Sequence, residues 1–238
     1  MNIAIILAAG DSERLQPTHH PSRKNHRRGI NKIFYRIRGK PLIFYTISAF
    51  EKHPQIKKII LVVKKTDFRR FFSLIKKYKF KKIAKIVGGE KERQDSAFNG
   101  LKAVEDLEAK PRDLILFHNG ANPLVSQNEI TNVIKTSEKY KAALVGQPAR
   151  NTIKEVAKDK FVIRTVDRKK IFLAQTPQAI EYNLAKEAFE KAFKDKFKAT
   201  DDVSLVERLG KKVKMIPCSY KNIKVTTKED LEIIKRLL

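Results

Sequence analysis

An apolar run, Ile3 to Leu7, empties at once into Ala8-Ala9-Gly10, and this opening constrains the chain more than any other stretch. A strand that ends in small residues lets the backbone approach a polyanion and aim successive N–H groups at it, and Arg14 adds a fixed positive charge just beyond. Such a loop suits a nucleotide phosphate. The same letters also suit an ordinary strand-to-loop turn in which Gly10 supplies a positive φ.

Beyond the loop, strand and helix alternate. Lys57 to Val63 is a buried strand by its Ile-Ile-Leu-Val-Val core, Asp67 to Tyr78 an amphipathic helix capped at Thr66 or Asp67, and Ile83 to Val87 a strand that ends in Gly88-Gly89. Pro41 to His53 is an earlier helix with proline in its first turn. This rhythm predicts βαβ units and a mostly parallel, Rossmann-like sheet flanked by helices, with ligands at the carboxyl ends of the strands.

The later chain keeps the pattern, with one departure. Asp113 to Phe117 is a strand, Ser126 with Glu129 is a capping box for a helix to about Tyr140, and Ala142 to Gln147 is a strand. From about 148 to 170 the runs become short and alternating, Thr152 to Val156 and Phe161 to Val166, as in a hairpin excursion. Gln175-Thr176-Pro177-Gln178 is expected to end a strand, Tyr182 to Phe193 to be helical, and Thr200-Asp201-Asp202 to begin another helix. Val213 to Cys218 and Asn222 to Thr226 are expected strands, and Thr226 to Glu229 the cap of a terminal helix.

The chain's 238 residues, 42% of them hydrophobic, suffice for one domain over 1–238 with the 148–170 excursion. The lone Cys218 rules out an internal disulfide framework, and no run approaches the ~18 apolar residues of a membrane span. No basic-then-apolar leader precedes the first strand, so the expected compartment is the cytoplasm. The net charge of +26 would gather any polyanion. Lysine pairs are scattered over many segments, as at Lys57-Lys58, Lys76-Lys77 and Lys211-Lys212, which reads as solvated faces rather than a nucleic-acid stripe. The segment 16–30 is rich in Arg, Lys and His without periodicity and is expected to form a basic flap over a triphosphate; His19 and His20 are adjacent and do not share a helical face. Walker, zinc and Gly-x-Gly-x-x-Gly patterns are absent, and Cys218 has no nearby His that would make it a nucleophile.

Five stretches together carry a family resemblance. The opening resembles the Ala-Ala-Gly-x-Gly-x-Arg loop of the sugar- and alditol-phosphate nucleotidyltransferases. Gly88-Gly89-Glu90-Lys91-Glu92-Arg93-Gln94-Asp95-Ser96, Thr165-Val166-Asp167-Arg168, Gln175-Thr176-Pro177-Gln178 and Asn222-Ile223-Lys224-Val225-Thr226 are similar to one branch, the 2-C-methyl-D-erythritol 4-phosphate cytidylyltransferases. The resemblance covers nearly all of the chain. It implies cytidylyl transfer from CTP to an alditol phosphate, with Mg2+ as cofactor and a homodimer clasped by the 148–170 arm.

The resemblance also distributes roles. It implies that Ala8, Ala9 and Gly10 hold the nucleotide, that Gly88, Gly89 and Ser96 read cytosine, and that Arg14 and Lys32 stabilise the triphosphate. Lys224, with Thr152 and Arg168 from the partner's arm, would hold the acceptor, and Thr200 would face it. Where the family carries His-Asp-Ala-Ala-Arg-Pro, this chain has His118-Asn119-Gly120-Ala121-Asn122-Pro123. Asn119 therefore stands at the magnesium position as a weak, substituted ligand, and Asn122 at an acceptor contact. Ser12, Asn31 and Ile33 also depart from the family's Gly, Pro and Gln. Two rival readings remain open to the residues: a sister enzyme acting on ribitol 5-phosphate, and a non-catalytic basic binding protein on the same fold.

Overall fold

The computed structural model describes residues 1–10 and 31–238. Arg14, Ser12 and the basic segment 16–30 lie outside them. In chain order the strands are β1 (Asn2–Ala8), β2 (Arg36–Ile37), β3 (Lys40–Pro41), β4 (Ile56–Val63), β5 (Ile83–Gly88), β6 (Leu114–Asn119), β7 (Ala142–Pro148), β8 (Ile153–Val156), β9 (Val162–Val166), β10 (Phe172–Glu181) and β11 (Lys214–Pro217). The helices are α1 (Leu42–Lys52), α2 (Phe68–Tyr78), α3 (Arg93–Lys102), α4 (Gln127–Tyr140), α5 (Tyr182–Lys194), α6 (Val203–Arg208) and α7 (Lys228–Leu237).

The main sheet has the order β11-β7-β10-β6-β1-β4-β5. β1 runs parallel to both β4 and β6, β4 to β5, and β11 to β7, while β10 is antiparallel to its two neighbours. The chain leaves β1 to build β4 and β5 on one side, then returns to place β6 on the other. The carboxyl end of β1 is therefore a topological switch point, where open α/β sheets keep their ligand crevice.

Strand periodicity sorts the core into two layers. Ile3 and Ile5 of β1 point with Ile60 and Val62 toward Ala97 and Leu101 of α3, Phe189 of α5 and Val206 of α6. Ala4 and Ile6, one residue out of phase, point toward Ile43 and Phe50 of α1, Phe71 of α2 and Ile134 of α4. A strand covered on both faces must be apolar throughout, which is why β1 and β4 read as continuous Ile/Val/Leu runs. A third cluster joins Ile37, Leu42, Ala121 and Val225 to Leu231 and Ile234 of α7.

Several boundaries differ from the sequence expectation. Pro41 is the N-cap of α1 rather than a residue of its first turn. Asp67 occupies the N-cap of α2 without a side-chain cap bond. The Ser126–Glu129 capping box is present on α4, and a second box, Thr227 with Asp230, starts α7. Gln175 to Gln178 does not end a strand: β10 continues through it, with a register shift between Ala174 and Gln178 where Pro177 cannot donate to the ladder. Asn222 to Thr226 is not a strand. Val225 is fully buried against α7 and its N–H donates to Ala121 O at 2.8 Å, while the buried Asn222 donates from Nδ2 to Thr176 O at 2.9 Å, so this segment is a loop pinned at both of these residues.

Among the described residues β8 and β9 pair only with each other and form the hairpin of the excursion. Val156, Phe161, Val162 and Ile163 stand exposed there, Phe161 by 75%. Among the described residues no helix is long and apolar enough to cross a membrane.

Candidate active site

At the carboxyl end of β1 a cavity of about 210 Å³ is lined by Ala8, Ala9, Gly10, Lys32, Ser96, Asn119 and Lys224, together with Glu90, Lys91 and Arg93. Residues spread over nearly the whole chain thus meet at the switch point. Gly10 has an ordinary backbone rather than a positive φ, and a Cβ added to it would meet nothing within 4 Å among the described residues. The turn reading of Gly10 therefore fails, and its small size leaves open space instead.

Each wall is held by local chemistry. Lys32 opens a short 3-10 turn whose Ile33 and Phe34 are buried, and Phe34 packs on Phe71 with ring centroids 5.2 Å apart. Lys224 is carried on the loop that Val225 anchors. Gly89 comes so close to the first loop that an added Cβ would lie 2.2 Å from Ala9 Cβ and 3.0 Å from Ser96 Oγ. Ser96 is buried, and its hydroxyl accepts from Glu90 N at 2.9 Å and donates to Glu90 O at 3.1 Å. It fastens the turn after β5 while lining the cavity.

Arg93 and Lys91 join the lining although the sequence reading gives them no role, and both belong to the glycine-led stretch that resembles the family. Arg93 is the first residue of α3, an end where the helix dipole disfavours a cation, and that misplacement is the available signal. Its compensation is Asp202, which is 1% exposed and accepts from Arg93 Nη1 at 2.9 Å and Nη2 at 2.5 Å. Burial opposes the guanidinium charge, and the Asp202 carboxylate, with Asp201 behind it, more than offsets that. With Lys32, Lys91 and Lys224 the lining is strongly cationic, Glu90 being its one carboxylate among the described residues.

The structure places the remaining expected residues elsewhere. Asn122 is fully buried behind the lining, where its Nδ2 donates to Gln175 Oε1 and Asn222 Oδ1, each at 3.3 Å. Gly88 packs against the Lys65 side chain rather than lining the cavity. Thr152 and Arg168 are exposed on the arm, Arg168 donating to Arg150 O at 2.6 Å, and Thr200 is exposed before α6. Cys218 lies just beyond β11, and burial pushes its thiol up to about 12, so it stays protonated and unreactive.

The donors around Asn119 among the described residues do not fit a magnesium ion. Among the described residues no group of three or more His, Cys, Asp or Glu could hold a metal. Asp202 is engaged by Arg93, Asp201 accepts from Gln178 Nε2 at 2.9 Å and Ser204 N at 3.1 Å, and Glu90 accepts from Asn99 Nδ2 at 3.3 Å. Asn119 itself offers a single neutral oxygen, and that oxygen faces Arg93.

His118, beneath this wall, is fully buried with Phe50 against its ring. Nε2 must donate to Asn122 O at 3.1 Å because a carbonyl only accepts, leaving Nδ1 bare and the ring neutral. Burial, with the Arg93 charge adding to it, lowers the His118 pKa to about 4, against the Asn122 hydrogen bond. The unfolded chain takes up this proton near pH 6.5 and the folded chain only near pH 4, so stability falls as pH drops through that window, by up to about 3 kcal/mol. His118→Gln should flatten the slope of unfolding free energy between pH 6.5 and 4; an unchanged slope in urea titrations would assign it to other groups.

A doubly wound α/β fold with a cationic crevice at its switch point and small residues after β1, where among the described residues the one lining hydroxyl, that of Ser96, is tied to the Glu90 backbone, defines a nucleotidyltransferase-type site. The family model for 2-C-methyl-D-erythritol 4-phosphate cytidylyltransferase matches residues 2–238, and the chain belongs to that family. It is 39% identical to the enzyme of that name from Caldanaerobacter subterraneus subsp. tengcongensis, covering 100% of this chain and 99% of the relative. It is 41% identical to the one from Clostridioides difficile, covering 100% and 94%. Among solved structures it is similar to the 4-diphosphocytidyl-2C-methyl-D-erythritol synthase of Anaerococcus prevotii, with a TM-score of 0.81, 28% identity and coverage of 99% and 97%. The Francisella tularensis 2-C-methyl-D-erythritol 4-phosphate cytidylyltransferase gives 0.79 and 30%, with coverage of 100% and 99%.

Proposed function

We propose that this chain joins CTP and 2-C-methyl-D-erythritol 4-phosphate, giving CDP-methylerythritol and pyrophosphate for isoprenoid precursor synthesis. The observation that carries the reading is the convergence of Ala8 to Gly10, Lys32, Asn119 and Lys224 on one cationic cavity. Two polyanions must be brought together there, so catalysis consists of positioning and neutralisation. An oxygen of the acceptor's phosphate, already ionised at neutral pH, attacks the α-phosphorus of CTP. The bond from that phosphorus to the β-bridging oxygen breaks and pyrophosphate departs with the electron pair.

In this reading each group has a distinct role. The Gly89 turn and Ser96 present backbone to the cytosine, while Lys32 and Arg14 meet the triphosphate. Lys224 holds the acceptor phosphate in line. Magnesium is proposed to enter on the triphosphate's own oxygens. Pyrophosphate release with CTP, UTP, GTP and ATP in parallel tests the base assignment: release is expected with CTP far above the others, and equal rates would overturn it.

We propose further that the enzyme is a cytoplasmic homodimer. A lone two-stranded hairpin is marginal in water, and the arm exposes Val156, Phe161, Val162 and Ile163, so a second subunit would both cover and stabilise it. Thr152 and Arg168 of the partner subunit would then complete the acceptor site. An inactive Arg168→Ala chain mixed with an inactive Lys224→Ala chain should regain activity, because a hybrid dimer contains one intact site. No recovery in mixtures shown to contain hybrids would mean that each site is built within one chain.

A further inference from the structure

Asn119 ends β6 in the lining of the cavity, and its side chain has a defined direction. Arg93 Nε donates to Asn119 Oδ1 at 3.4 Å. A guanidinium carries donors only, so this neighbour decides which end of the amide it faces. Arg93 is itself locked, since both terminal nitrogens are bound by the buried Asp202. Asp202 is fixed in turn, its backbone N–H donating to Gln178 Oε1 at 3.0 Å. With Oδ1 committed to Arg93, the Nδ2 group is the half of the amide left for a ligand. Among the described residues Nδ2 has no hydrogen-bond partner, and it stands in a lining shared with Lys32, Lys91 and Lys224.

We propose that Asn119 acts as a hydrogen-bond donor to a phosphate oxygen of CTP, with Arg93 as the positioning residue that turns its amide nitrogen toward the ligand. The wall then binds an anion through nitrogen where a carboxylate would bind a cation through oxygen. Asn119 adds two donors and no negative charge, so the triphosphate meets a surface able to hold it before any metal arrives. The inference rests on the assignment of the cavity to CTP.

Calorimetric titration of CTP into the full chain, first in EDTA and then in excess magnesium, tests it with wild type, Asn119→Ala and Asn119→Asp. Wild type should bind CTP in EDTA. Asn119→Ala should bind roughly ten- to a hundredfold more weakly, the range for one hydrogen bond to a charged group. Asn119→Asp should lose at least as much in EDTA, because its carboxylate faces the phosphates with like charge, and magnesium should restore part of its loss but none of the alanine variant's. Arg93→Lys, which keeps the charge and drops the Nε donor, should weaken metal-free binding in the wild-type background and add little in the Asn119→Ala background. Metal-free affinities equal to wild type in both Asn119 variants would overturn the inference and leave the CTP assignment standing. Absence of CTP binding by wild type in EDTA alone would also overturn it. Absence in magnesium as well would overturn the CTP assignment itself.

Discussion

Lys32→Ala and Arg14→Ala are each expected to lower turnover by ~10²–10³, equivalent to ~2.7–4 kcal/mol of transition-state stabilisation, while leaving the fold intact. The reason is the charge that develops as pyrophosphate leaves. A cation fixed where that charge appears costs no reorganisation at the moment of reaction, and Lys32 is fixed by the burial of Ile33 and Phe34 beside it. Its removal should act on turnover more than on the KM for CTP, because the ground-state triphosphate keeps Lys91 and the N–H groups of Ala8 to Gly10. Steady-state kinetics with a matched thermal melt checks this. Near-normal turnover at unchanged melting temperature would reduce the residue to a surface charge.

Asp202→Ala is expected to be the most damaging single change outside the direct ligand contacts. It leaves the Arg93 guanidinium without its two-point partner and empties a carboxylate site that is 1% exposed. Breaking a buried pair by removing one member costs about 3–5 kcal/mol. Arg93 keeps 29% of its side chain exposed and can recover some hydration, so about 3 kcal/mol is the expected loss in urea unfolding. Metal-free CTP binding should weaken as well, because a loosened Arg93 no longer orients Asn119. A loss below about 1 kcal/mol, the range of surface ion pairs, would show that the pair is solvated and structurally idle.

Much of this arrangement is legible in the sequence where a residue's local chemistry decides its structure. Continuous Ile/Val runs mark β1 and β4, and Ser126 with Glu129 marks the start of α4, because these signals act within a few residues. The reading fails where a distant partner decides. Ile223 and Val225 alternate like a strand, yet Val225 is drawn into the α7 core and Asn222 into a buried amide cluster with Asn122, so no ladder forms. Pro177 reads as a strand end, but β10 passes through it with a shifted register. Arg93 is passed over because its meaning depends on Asp202, which is more than a hundred residues away along the chain. The family resemblance implies that Asn122 is an acceptor contact, whereas its burial sets it behind the wall.

The identity of the acceptor bears most directly on the whole scheme. Wild-type enzyme supplied with CTP and magnesium, and with either 2-C-methyl-D-erythritol 4-phosphate or ribitol 5-phosphate, should release pyrophosphate with the first and form CDP-methylerythritol identified by mass. Release with ribitol 5-phosphate in preference, or with neither acceptor, would contradict cytidylyl transfer to methylerythritol phosphate at this site.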